Sequence, residues 1–344
     1  MLKGMLGATL MLLSAVGWLQ PPAVLPLPSR TGADGPPMPF GAEPPAGSLP
    51  SHTARFLQRQ QNHALLYGPF PRGGLARGVS DGSLMLSGDG AVRTQTMSRI
   101  RALGGSVARI PVDWRNVVES TPLGGFQAPD PGSPAYRFAQ LDAAVRSAAA
   151  AGLEPLLVVS HAPAFAEAPH RWPYAYPGSW APSGAALGDF AAALARRYDG
   201  AFPDPLHPGA MLPRVRFLQA WNEPNLARYL EPQWVAEGGH WSAFSPRLYR
   251  QLLNGFYEGV KSVEPSDTVI AAGIAPEGEP AGVGAMAPTT FLEALLCLGA
   301  AGASCPQKPH LDVLAFHPLS VFNPDVPAVS ASDVAISDMA KITG

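Results

Sequence analysis

The sequence predicts an α/β fold, a (β/α)8 TIM barrel, on three observations. Short apolar runs alternate with helix-like segments along the chain. Polar residues gather just after the runs. No full G-x-G-x-x-G follows the first run; Val79-Ser-Asp-Gly82 stands there instead, which disfavours a dinucleotide-binding doubly wound sheet. Repeated strand–helix alternation implies a parallel sheet covered by helices.

The strand candidates are residues 75–80, 106–111, 155–160, 215–221, 268–273 and 313–317. They are β-branched or Leu-rich and bounded by loop residues, as strands buried on both faces are. The helix candidates lie between them. Residues 94–103 stop at Gly104-Gly105, and 138–151 carry Leu141, Ala144, Val145 and Ala148 on one face. Residues 183–198 begin at a Ser cap and end before Gly200. Ser245 is expected to cap a helix over 246–263 with Pro246 in its first turn, and 290–298 stop at Gly299. These starts and stops follow capping chemistry. Residues 332–342 are expected to begin a sixth helix.

Composition narrows the function. The chain has 344 residues, 47% of them apolar, enough for a large core. Its 24 basic and 26 acidic residues leave a formal charge of -2, which argues against a nucleic-acid binder. The 14 Phe, 8 Tyr and 7 Trp exclude an acidic disordered chain. The histidines lack metal-ligand spacing, so neither a metal nor another cofactor is expected.

The N-terminal part is expected to be separate from the barrel. After Lys3, residues 4–19 carry no charge and are rich in Leu, Met and Ala. That run is short for a membrane span of about 20 residues and suits a signal peptide over 1–19, so no stable membrane span is expected and the chain is expected to be secreted. An uncleaved anchor is the second reading and a buried helix the third. From Pro21 to Pro50, 10 of 30 residues are proline, so 20–66 is expected to be a linker with one short helix, and 67–344 the barrel. In a secreted chain, Cys297 and Cys305 suit a bridge; otherwise they are two free thiols.

The chemistry converges at the strand ends. Arg109, His161, Asn222, Glu223 and His317 belong to four strands, as a barrel enzyme requires. The run Phe-Leu-Gln-Ala-Trp-Asn-Glu-Pro-Asn at 217–225 drives an apolar strand into a carboxylate, which is costly without partners or a task. Here the sequence resembles the clan A glycoside hydrolases, retaining barrel enzymes that include the cellulase-like family five and the xylosidase-like family thirty-nine. The resemblance extends from about Leu75 to His317 and implies β-glycosidic bond cleavage. It implies Glu223 as general acid/base, Arg109 as the charge supporting the nucleophile, His161 as a sugar contact, and Asn222 as partner of the sugar 2-hydroxyl. His317 matches the sixth-strand histidine, but Leu319 stands where the clan often has tyrosine. A core ion pair is the competing reading for Arg109, and ordinary hydrogen-bonded histidines for His161 and His317. Trp172 and Trp180 lie in an aromatic loop after the third strand, and Trp234 and Trp241 follow the fourth. Such rings suit a carbohydrate partner, or a loop packed on itself.

The resemblance also implies a nucleophilic Glu ending a seventh strand. After His317, 27 residues remain without Glu, and the last Glu is Glu293. The expectation is therefore an incomplete barrel of about six of eight strands, inactive without its nucleophile. Glu277 or Glu279 acting as nucleophile, and a non-catalytic sugar-binding or wall-associated barrel, are the alternatives.

Overall fold

The computed structural model describes residues 76–343, apart from 123, 125, 299–304, 306 and 321–322. They lie in one unit, Gly74–Gly344. The expected signal peptide (1–19) and linker (20–66) fall outside the described residues.

In chain order the elements are β1 (Gly78–Val79), α1 (Gly82–Met85), α2 (Gly90–Ala102), β2 (Val107–Asp113), α3 (Trp114–Val117), α4 (Ala139–Ala150) and β3 (Glu154–Ser160). There follow α5 (Gly184–Arg197), β4 (Phe217–Ala220), β5 (Trp234–Glu237), β6 (His240–Ala243), α6 (Ser245–Val263), β7 (Thr268–Ile274), α7 (Pro288–Leu296), β8 (Val313–Phe316) and α8 (Ala340–Thr343). Six strands form one sheet in the order β1-β2-β3-β4-β7-β8. Every pair is parallel. The order never reverses, so there is no switch point of the doubly wound kind. This is the first part of a (β/α)8 barrel, incomplete among the described residues, with β1 and β8 as its edges.

Register places the strand ends together. Asp113 pairs with Ser160, Ala220 with Ala271, and Phe316 with Ile274. The residues that follow each strand therefore emerge at one face. On β2, Ala108, Ile110 and Val112 are buried, whereas Val107, Arg109, Pro111 and Asp113 on the other face are half-buried. That alternation turns Arg109 away from the helix layer.

Local chemistry explains most helix limits. The Asp89 carboxylate accepts from Ala91 N–H and starts α2 one turn before the expected Thr94. Ser183 caps α5 through Ala186 N–H. Ser245 does not cap α6; its hydroxyl donates to Gln233 Oε1 at 2.8 Å. The expected helix over 332–342 is instead a 3₁₀ turn, Ile336–Asp338, followed by α8. Its amides are taken elsewhere: Val334 N–H donates to Pro276 O, and Ala335 N–H to the Asp338 carboxylate. A hairpin, β5 with β6, occupies what the sequence presents as an aromatic loop. Cys297, at φ 63°, ends α7 and is disulfide-bonded to Cys305.

Two glycine pairs set the spacing of α5 and α6. A Cβ on Gly255 would lie 2.1 Å from Gly184 O, and one on Gly259 would lie 2.1 Å from Gly188 O. The backbones touch, and no side chain fits between them. Gly255→Ala is therefore expected to destabilise by about 1–3 kcal/mol through overpacking. Helix propensity alone would favour Ala by about 1 kcal/mol, so the sign isolates the contact. A denaturant midpoint at or above wild type would show that the helices separate freely.

Candidate active site

The backbone bends sharply at three strand ends. His161 after β3 has φ 56°, Trp221 and Glu223 after β4 have φ 72° and 44°, and Ala272 and Gly273 in β7 have φ 65° and 69°. Four of these five are non-glycine residues in the left-handed region, each costing about 1–2 kcal/mol. Such strain persists where the surroundings over-determine it and gathers at functional sites. Glu223 N–H donates to Gly273 O at 3.1 Å, which ties two of the bends together. Gly273 has a second reason to be glycine. A Cβ there would lie 2.7 Å from Gln219 Nε2 and 2.8 Å from His317 Nε2.

Glu223 is buried, at 8% exposure, and both carboxylate oxygens are engaged. Oε1 lies 2.9 Å from His317 Nδ1, and Oε2 accepts from Arg228 Nη2 at 3.0 Å. Burial pushes the carboxyl up, but the His317 and Arg228 hydrogen bonds and charges outweigh it and hold it below its ordinary value. His317 connects onward: its Nε2 lies 3.4 Å from Arg109 Nη2. The same Arg109 nitrogen donates to Asn222 Oδ1 at 2.9 Å. Arg109 also reaches Gln219 Oε1 and Ser80 Oγ, at 3.4 and 3.3 Å. The structure thus brings Arg109, Asn222, Glu223 and His317 into one connected network.

His161 stands beside this network. Its Nδ1 lies 3.0 Å from Ser160 Oγ and 3.9 Å from Asp113 Oδ2, and its ring packs on Tyr229 at 5.2 Å. Burial pushes its pKa down against the pull of Asp113, favouring the neutral imidazole. Trp180 is half-buried, and Glu167 Oε1 accepts its backbone N–H at 2.9 Å. Trp172 is 52% exposed and packs edge-on against Tyr174. Trp221 is wholly buried and its indole N–H donates to Tyr229 O, so it belongs to the core. Trp241 is exposed and covers Gly282. Glu277 and Glu279 are exposed. Asp113 is held by Arg115 through Nε at 2.9 Å and Nη2 at 2.5 Å.

Three contributors escaped the sequence reading. Gln219, buried within β4, accepts from Arg109 and donates to Trp221 O and Ala272 O. A Gln amid apolar strand residues was the available signal. Asn225 is fully buried and joins Ala275 to Met286 by its side-chain amide. Arg228, five residues past Glu223, carried no local signal. Among the described residues, no cluster of three or more His, Cys, Asp or Glu is placed to hold a metal ion.

In structure the chain resembles clan A glycoside hydrolases. One is a family 39 glycoside hydrolase from the gut symbiont Bacteroides cellulosilyticus, with 23% identity over 57% of this chain and 32% of that one, at a TM-score of 0.35. Another is a glucosidase from Croceicoccus marinus, with 14% identity over 72% and 45% and a TM-score of 0.43. An endo-1,4-beta-mannanase from Rhizomucor miehei gives 13% identity over 62% and 60% and a TM-score of 0.39. The chain spans less than two thirds of each of them. No protein-family model and no curated protein matches it.

Proposed function

We propose that this barrel is the catalytic fold of a retaining glycoside hydrolase acting on β-linked oligo- or polysaccharide, with Glu223 as general acid/base. The observation that carries the reading is the buried Glu223 carboxylate at the end of β4, joined through His317 to Arg109 and Asn222. The apolar run at residues 4–19 adds secretion to the proposal.

The chemistry would proceed in two steps. The Glu223 carboxyl protonates the glycosidic oxygen as the anomeric C–O bond breaks, and a second carboxylate forms a bond to that carbon. Glu223, now ionised, takes a proton from water, whose oxygen displaces the second carboxylate. In this reading Asn222, which accepts from Arg109, bonds the sugar 2-hydroxyl. The nucleophile is assigned outside the described strands. Asp113 is committed to Arg115, and Asp81 caps α1. Proton NMR of the first product from an aryl β-glycoside, turned over by a barrel completed with its nucleophile, tests this reading. Release of the β-anomer is expected, and an inverted product would reject it.

A second reading is favoured by one observation. Arg228 holds Glu223 ionised, the opposite of what a proton donor needs. A non-catalytic sugar-binding barrel has no such conflict. It predicts that the protein binds β-glycans and releases no sugar from any aryl glycoside.

A further inference from the structure

The Arg228–Glu223 contact has a resolution within the catalytic reading, on which this inference rests. We propose that Arg228 is a specificity residue that selects glycans bearing an anionic group, a uronate carboxylate or a sulfate, at the sugar beside Glu223, and leaves Glu223 when it takes that group.

The placement of Arg228 differs from that of the other guanidinium groups at this face. Arg109 is spent on Asn222, Gln219 and Ser80. Arg115 is spent on both oxygens of Asp113 and on Pro177 O. Arg228 has a side chain 57% exposed and, among the described residues, one side-chain hydrogen bond, from Nη2 to Glu223. A guanidinium has five N–H donors in a planar fork that suits oxyanions. Four of the five are therefore open to a ligand. The guanidinium lies over the Tyr229 ring, 4.8 Å from its centroid.

The energetics point the same way. A neutral sugar offers nothing that outcompetes the Glu223 carboxylate for the guanidinium. An oxyanion on the substrate can take the fork in a bidentate, charge-assisted pair. Once Arg228 has moved, one of the two partners that hold Glu223 below its ordinary value is gone, and His317 alone opposes burial, which favours the protonated acid.

The test is calorimetric titration of the intact protein with three matched β-linked oligosaccharides: a neutral glucose form, a glucuronate form and a 6-sulfated glucose form. At least one anionic probe is expected to bind ten-fold or more tighter than the neutral one, and the tighter of the two names the group. Arg228→Met is expected to remove that discrimination, and Arg228→Lys, which keeps charge without the fork, to retain part of it. Exposure of the side chain makes folded variants the expectation, checked by their melting curves. Equal affinity for neutral and anionic probes, or discrimination surviving in Arg228→Met, overturns the role of Arg228 and leaves the glycosidase reading in place. Binding of none of the three overturns both.

Discussion

In a barrel completed with its nucleophile, Glu223→Gln is expected to slow hydrolysis of β-glycosides with poor leaving groups by about 10²–10⁴-fold, the usual worth of a positioned proton donor. Activated aryl glycosides need no proton on the leaving oxygen. Their first step is expected to survive, and the glycosyl-enzyme to accumulate because no base activates water. The substitution is nearly isosteric. The Gln amide oxygen can still accept from Arg228 Nη2, and its nitrogen can donate to His317 Nδ1. Equal loss on both kinds of substrate would remove Glu223 from the acid role. Stability offers an independent reading. The folded Glu223 carboxyl lies below its ordinary value, so its ionised form stabilises the fold above the ordinary carboxylate pKa of about 4.3. That contribution is lost as pH falls through the lowered folded value. The melting difference between wild type and Glu223→Gln should therefore shrink on acidification. A difference independent of pH would show that the carboxylate is not held by charge.

The sequence made the sheet legible because buried parallel strands leave runs that local patterning reveals. Residues 155–160 and 268–273 were expected as strands, and β3 and β7 occupy Glu154–Ser160 and Thr268–Ile274. The helix expected over 138–151 is Ala139–Ala150, since its apolar spacing and Gly152 both act within one turn. The β5–β6 hairpin was missed although Gly238-Gly239 marks its turn, at φ 58° and 82°. There the four-residue strands were obscured by reading Trp234 and Trp241 as a sugar-facing loop. Glu223 was legible because an apolar strand ends on it. Gln219 and Arg228 were not, because their roles rest on contacts that periodicity does not encode. Gln219 meets Arg109 across 110 positions, and Arg228 reaches Glu223 only because the chain turns back after Pro224. The helix expected over 332–342 is broken for a related reason. The Val334 and Ala335 amides ahead of the Ile336–Asp338 turn answer to Pro276 O and to the Asp338 carboxylate, which no local helix signal reports.

Asp142→Ala is expected to destabilise the barrel by about 3–5 kcal/mol, the cost of leaving one partner of a buried ion pair alone. Asp142 and Arg197 are 3% and 5% exposed and join α4 to α5. Asp142 accepts from Arg197 Nε at 2.8 Å, from Arg197 Nη2 at 2.6 Å and from the Tyr198 hydroxyl at 2.9 Å. Removing the carboxylate strands a guanidinium whose remaining supports are Pro131 O, at 3.3 Å, and the faces of Phe138 and Phe202, at 4.4 and 4.9 Å. Those contacts do not replace a counter-charge in a site from which water is excluded. In a domain of this size the loss corresponds to a fall in Tm of about 10 °C. The double variant Asp142→Leu/Arg197→Met separates a stranded charge from lost packing. If desolvation is the cause, filling the site with apolar side chains recovers most of the loss, because the intact pair is itself worth little net. The single variant should then be the least stable of the three proteins by chemical denaturation. A double variant as unstable as Asp142→Ala would mean instead that the geometry of the network, including the Tyr198 hydroxyl, holds α4 against α5.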